Sequence, residues 1–168
     1  GAAQTIGDLK DNILVGGVNG QENVRLRENM GWAPSSGSRS VALGRYSDAG
    51  NKDIGLFNNY FVGTTQFSNL WSSIQMTGNT FYGAVTLNGT NLASAHPNNT
   101  YVVSRPTQNK IFIRANRYEE GRAHIIAYNW EGLASVEVDL NGILPLGSRY
   151  AIKNAQNFFS EAIVSGIF

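Results

Sequence analysis

Two carboxylates, Asp48 and Asp53, and two cations, Arg45 and Lys52, fall within RYSDAGNKD, residues 45 to 53. Carboxyl groups brought that close can act as a general acid and base, or as oxygen ligands for Ca2+, while a neighbouring Arg or Lys holds an anionic sugar. The same letters also spell a polar turn ahead of a strand beginning at Ile54, which is the plainer reading. A second cationic group is Arg25 and Arg27, two apart in NVRLRENMGW, residues 23 to 32. On a strand both face outward while Val24 and Leu26 face a core. They could bind an anionic polysaccharide, or simply solvate an exposed face with Glu28 as partner, at little gain in stability. Trp32 and Trp71 are the large rings expected to be exposed and able to stack on a sugar. Phe61 and Phe81 are expected to stack as an aromatic column in the core or along a corner instead, because they share one position of a repeat.

Other chemistries find no residues to carry them. His96 and His124 form no HExxH or other paired-ligand spacing, and no serine sits in a GxSxG turn. Phosphate-binding glycine patterns are absent as well. The chain has no cysteine, which excludes disulfides, thiol catalysis and Cys-based zinc sites. No cofactor is therefore expected, apart from Ca2+ at Asp48 and Asp53. The net charge of +1 is spread along the chain rather than gathered into the basic stripe that nucleic acids require. No apolar run approaches the ~18 residues of a bilayer-spanning helix. With 42% hydrophobic and 15% charged residues, the surface must be covered largely by neutral polar groups. Two sequons, Asn88-Gly89-Thr90 and Asn98-Asn99-Thr100, agree with surface loops.

The elements that position these residues are legible as a repeat. KDIGLFNNYFVG, residues 52 to 63, runs in step with SSIQMTGNTFYG, residues 72 to 83. Ile54, Leu56, Asn59, Phe61 and Gly63 align with Ile74, Met76, Asn79, Phe81 and Gly83. Val24, Leu26 and Asn29 fit the same frame, and DNILVGG, residues 11 to 17, reads as a weaker echo of it. Each unit alternates apolar and variable residues, the mark of a strand with one buried face, and then reaches Asn and a bend. Short strands repeated in this way predict a solenoid, since one turn cannot bury its apolar face alone. Asn at the same bend of each turn is expected to stack as a ladder and to adopt the left-handed backbone of the corner. SVALGRY, residues 40 to 46, adds a further strand to one turn.

The phrases NVRLRENMGW, DIGLFNNYFVG and SIQMTGNTFYG resemble the coils of right-handed parallel β-helix proteins of the pectate-lyase-like type. The resemblance covers roughly residues 11 to 90. It implies an extracellular or cell-surface location and a polysaccharide as partner, and it transfers no catalytic motif residue by residue. After a junction at NLASAHPNNTYVVSRPTQNK, alternating runs at 110–115, 123–130, 134–140, 149–155 and 162–168 predict an antiparallel sheet or sandwich. GRAHIIAYNW and VEVDLNGILPLGSRYAIKNAQNFF resemble the small all-β domain that follows the catalytic part of some bacterial carbohydrate-active enzymes.

The expected fold is therefore all-β: a short right-handed parallel β-helix over residues 1–95 joined to a small antiparallel β-sandwich over 96–168. The start of the helix and the last strand are expected to meet further protein, as the C-terminal part of a larger polysaccharide-active protein. The expected function is a non-catalytic, carbohydrate-associated structural module. The alternatives are a lyase or glycoside hydrolase of acidic glycans using Arg45, Asp48, Lys52 and Asp53, and a filament subunit completed by other chains of the same protein.

Overall fold

The computed structural model describes residues 7–10, 13–15, 19–20, 24–33, 38–44 and 51–168, the first three stretches through backbone pairing alone. Among the described residues the regular structure is strand, apart from two short 3-10 turns. The chain is all-β, with both parallel and antiparallel sheets. It divides into two compact units, Gly1–Pro106 and Thr107–Phe168.

The first unit is laid down in rounds of three strands. The first round is β1 (Gly7–Lys10), β2 (Ile13–Val15) and β3 (Asn19–Gly20), and the second is β4 (Val24–Arg27), β5 (Met30–Trp32) and β6 (Arg39–Leu43). The third is β7 (Asn51–Phe57), β8 (Tyr60–Val62) and β9 (Thr64–Phe67), and the fourth is β10 (Trp71–Thr77), β11 (Thr80–Tyr82) and β12 (Val85–Leu87). Two short strands, β13 (Thr90–Asn91) and β14 (Thr100–Val102), follow. Successive strands join three sheets in turn, ordered β1-β4-β7-β10, β14-β11-β8-β5-β2 and β13-β12-β9-β6-β3. Pairing is parallel throughout these sheets except between β12 and β13.

The register agrees with the sequence repeat. Val24 lies opposite Ile54, and Leu26 opposite Leu56, which in turn lies opposite Met76. One expectation is shifted in phase. The equivalent of Val24–Arg27 in the first round is Gly7–Lys10, whereas Ile13–Val15 pairs with Met30–Trp32 in the second sheet. Apolar character drew the alignment toward ILV, although GDLK supplies the paired backbone.

Inside, Val24, Leu26, Ile54, Leu56, Phe61, Phe67 and Phe81 are almost wholly buried in one core. Phe61 and Phe81 stand 6.1 Å apart, and Tyr101 continues the column at 5.6 Å from Phe81. Gly31 begins the described part of this column, and a Cβ there would lie 2.7 Å from the Phe61 ring. In the third sheet Thr65 stands between Val41 and Val85, fully buried, and its Oγ1 has no hydrogen-bond partner.

The bend between the first and second sheets divides a task that one asparagine was expected to perform. The left-handed residue is the one before it: Glu28 (φ 55°), Asn58 (φ 55°) and Gly78 (φ 70°). The next residue in each round, Asn29, Asn59 and Asn79, is buried and hydrogen-bonds to its neighbours. Asn29 Nδ2 donates to Asn59 Oδ1 (3.0 Å), Asn59 Nδ2 to Asn79 Oδ1 (2.8 Å) and Asn79 Nδ2 to Asn99 Oδ1 (2.8 Å). Asn59, Asn79 and Asn99 also donate to strand carbonyls, those of Leu26, Leu56 and Met76 respectively. Asn99 donates in addition to the His96 carbonyl, at 2.9 Å.

Residues 92–102 pack at the fourth round. Leu92 packs against the core, and Tyr101 Oη donates to the His96 carbonyl at 2.9 Å. Burial lowers the His96 imidazole below its ordinary pKa. Burial also raises the Tyr101 phenol, with a hydrogen bond to Asn99 acting the other way. Because β14 pairs with β11, residues 100–102 belong to the first unit, not to the second domain expected from residue 96.

The second unit holds two antiparallel ladders, β15 (Lys110–Ala115) with β16 (Ala123–Tyr128) and β17 (Arg149–Ile152) with β18 (Val164–Ile167). The base of the first hairpin is braced reciprocally, Asn109 N donating to Glu131 Oε2 and Glu131 N to Asn109 Oδ1. The expected strand over 134–140 is missing, and the expected sandwich is represented by these two separate ladders. Val136 and Val138 are half-buried and Glu137 and Asp139 exposed, so the alternation is real, but no strand pairs with the segment. Alternation reports a buried side, whereas a ladder also needs a partner strand elsewhere in the sequence.

Candidate functional site

The outer side of the first sheet carries most of the charged candidates. Arg25 and Arg27 project from β4 because Val24 and Leu26, on the alternate positions, are committed to the core. Register sets Arg25 opposite Gly55 and Gln75, Arg27 opposite Phe57 and Thr77, and Asp53 opposite Ser73. The Phe57 ring folds back over Gly55. A Cβ at Gly55 would lie 2.8 Å from Phe57 Cζ and 2.9 Å from Arg25 Cδ, so only glycine leaves room for the ring and the Arg25 stem together. The Arg27 guanidinium sits 5.2 Å from the centre of that ring, within cation–π range. Arg25 Nη1 is held from below, donating to the Val24 carbonyl at 3.1 Å and to the Asp53 carbonyl at 3.3 Å.

The result is a half-buried aromatic ring with the Arg27 guanidinium over it and the Arg25 stem beside it, and with Lys52 and Asp53 exposed at the start of the same strand. An aromatic face takes the apolar C–H side of a pyranose, and a guanidinium takes a carboxylate or sulfate through paired N–H donors.

The structure brings Arg25, Arg27 and Asp53 together on one face, with Lys52 beside them. Arg45 and Asp48 lie outside the described residues, so the acid–base pair and Ca2+ site expected of Asp48 with Asp53 has one described member. Among the described residues no group of three His, Asp or Glu side chains is placed to hold a metal ion. Trp71 is a correction. Its Nε1 donates to the Ser68 carbonyl at 3.1 Å, its ring meets Phe67 edge-on at 6.1 Å, and it packs against the core, so it is half-buried rather than exposed. Trp32 is exposed as expected, but on the second sheet, away from the arginines. Phe57 is the residue that the repeat concealed, since its counterparts Arg27 and Thr77 are of other types. The glycine inside the apolar run IGLF was the available signal, because an interior strand glycine marks a close approach.

In the second unit a recess of about 430 Å³ opens beside the turn after β15, lined by Tyr118, Glu119, Arg122 and Ile143 among others. Arg122 is paired with Glu119 at 2.6 Å and also lies over the Phe158 ring, so its charge is already engaged. No helix of the described residues is long and apolar enough to cross a membrane.

Compared with known proteins, the chain matches no family model, no curated protein and no solved structure.

Proposed function

We propose that this chain is a non-catalytic, carbohydrate-associated module of a secreted or cell-surface protein, a short right-handed parallel β-helix followed by a small antiparallel domain, and that its first sheet binds an acidic polysaccharide. The helical reading is supported by the visiting order of the three sheets, by the strand register between rounds and by the asparagine ladder. Right-handedness follows the general preference of parallel crossovers. The observation that carries the function is the Phe57 ring laid over Gly55 beside the Arg25 stem and under the Arg27 guanidinium. A glycine in mid-strand weakens a sheet, and an aromatic held outward gains less than one turned inward, so stability alone does not account for the arrangement.

Affinity electrophoresis through gels containing polygalacturonate tests it. The chain is expected to be retarded, less so as salt rises, with Arg25→Ala/Arg27→Ala weakening retention about tenfold or more. Gly55→Val, which evicts the Phe57 ring, should weaken it too. Release of new reducing ends from the polymer would replace the module with an enzyme. Unretarded migration in every acidic glycan tried would end the proposal.

A further inference from the structure

The tripeptide Leu-Asn-Gly occurs twice, at Leu87-Asn88-Gly89 and at Leu140-Asn141-Gly142. Asparagine followed by glycine is the pair most prone to cyclise, because no side chain on the glycine keeps its backbone nitrogen away from the asparagine Cγ. With the local sequence shared, the fold decides which copy reacts. At the first copy the side chain is tied at both ends. Asn88 and Gly89 form the two-residue loop between β12 and β13, with Leu87 opposite Thr90. Asn88 Oδ1 accepts from Asn69 N at 2.8 Å, and Nδ2 donates to the Asn69 carbonyl at 3.1 Å. Both bonds must break before Cγ can turn toward Gly89 N. The second copy has a single anchor. Asn141 N and Nδ2 both donate to Asp139 Oδ1, at 2.9 and 2.6 Å, while Asn141 Oδ1 and Gly142 N have no hydrogen-bond partner among the described residues. Asp139 itself lies on the segment that no strand pairs with. Gly142, at φ 77°, is exposed and lines the recess beside the turn after β15, so water reaches the reacting atoms.

We propose that Asn141 is a site of spontaneous deamidation in the folded protein, and that the fold protects Asn88 from the same reaction. Gly142 N, giving up its proton to hydroxide, attacks Asn141 Cγ. A C–N bond forms, the Cγ–Nδ2 bond breaks, and ammonia leaves with a proton from solvent. Water then opens the succinimide at either carbonyl, giving aspartate or isoaspartate, with no change of oxidation state. Either product sets a carboxylate beside Asp139 where a donor stood, and like charges that close repel. Isoaspartate also adds a main-chain carbon to the turn in which the Leu140 carbonyl accepts from Ile143 N and Leu144 N. Leu140 is one of the few buried apolar side chains of the second unit, so the modification acts on that unit's packing. The reaction is independent of glycan binding by the first sheet.

The test incubates the full chain in mildly alkaline buffer made with heavy-oxygen water, natively and in concentrated urea, and follows label uptake at each asparagine by peptide mass spectrometry. In native buffer Asn141 is expected to convert about tenfold or more faster than Asn88, and in urea, where the shared local sequence is all that remains, the two rates should converge to within about threefold. Asn141→Gln, whose longer side chain cyclises far more slowly, should abolish uptake in that peptide and leave Asn88 as it was. Equal native rates, faster conversion at Asn88, or a difference that persists undiminished in urea each overturns the proposal. Hydrogen exchange after prolonged native incubation reads the consequence: amides of residues 140–144 should exchange faster in the aged parent and not in aged Asn141→Gln, with β7 and β8 unchanged in both. Unaltered exchange at 140–144 in a fully converted parent would overturn the effect on packing.

Discussion

Asn59 and Thr65 are both polar, both buried, and opposite in their effect on the fold. Asn59 uses its full amide capacity: Oδ1 accepts from Asn29 N and Nδ2, and Nδ2 donates to the Leu26 carbonyl and Asn79 Oδ1. Removing it strands several groups away from water, so Asn59→Ala is expected to cost about 3 kcal/mol or more. Thr65 Oγ1 has no partner and stands between two valines, so Thr65→Val removes an unsatisfied hydroxyl while keeping its shape. That substitution is expected to add about 1 kcal/mol. Urea unfolding monitored by circular dichroism checks both, and equal or same-signed changes would contradict the account. The ladder asparagines could be found in the sequence because they recur at one place in the repeat. Thr65 could not, since a threonine within TTQF reads equally as facing in or out until its neighbours are known.

The segment over the fourth round, from Leu92 to Val102, is expected to carry a pH dependence of its own through His96. Burial lowers the His96 pKa, so the folded state favours the neutral ring. The unfolded chain takes up the proton first as pH falls past the ordinary value near 6.5. His96 therefore contributes stability that is complete above that value and is lost as pH falls through the lowered folded value. Melting temperature is expected to decline on acidification between about pH 7 and 5, with a shallower slope in His96→Gln. A variant that tracks the parent throughout this window would refute the assignment. How far elements could be read from the sequence depended on how local their evidence was. The strands around Ile54 and Ile74 and the Phe61–Phe81 column followed from spacing, because parallel in-register pairing converts sequence period into contact. Residues 134–140 alternate just as plainly and form no ladder, since pairing depends on a distant partner that periodicity does not encode. The cationic face was half legible: Arg25 and Arg27 were evident, while Phe57 waited on the fold of its ring over Gly55.

At the scale of the molecule, burial is divided unevenly between the two units. The first has a continuous core running from Val24 to Val85, whereas in the second Tyr128 and Leu140 are the only buried apolar side chains, each at 9% exposure. Phe159, Leu146 and Ile167 are largely exposed there. Opening of the second unit therefore gives up less apolar contact, and its amides are expected to exchange with deuterium faster than those of β7, β8, β10 and β11. Uniform protection across both units would show that they unfold as one. The asparagine ladder has a consequence of a different sort. Every amide in it donates in the same direction, from Asn29 toward Asn99, so the row of side-chain dipoles has a head and a tail. At the Asn99 end the acceptor is no longer an asparagine but the carbonyl of His96, three residues back along the same chain. That carbonyl takes the donor that a further rung would otherwise accept. Among the described residues the stack thus ends, on the Asn99 side, in a single backbone oxygen.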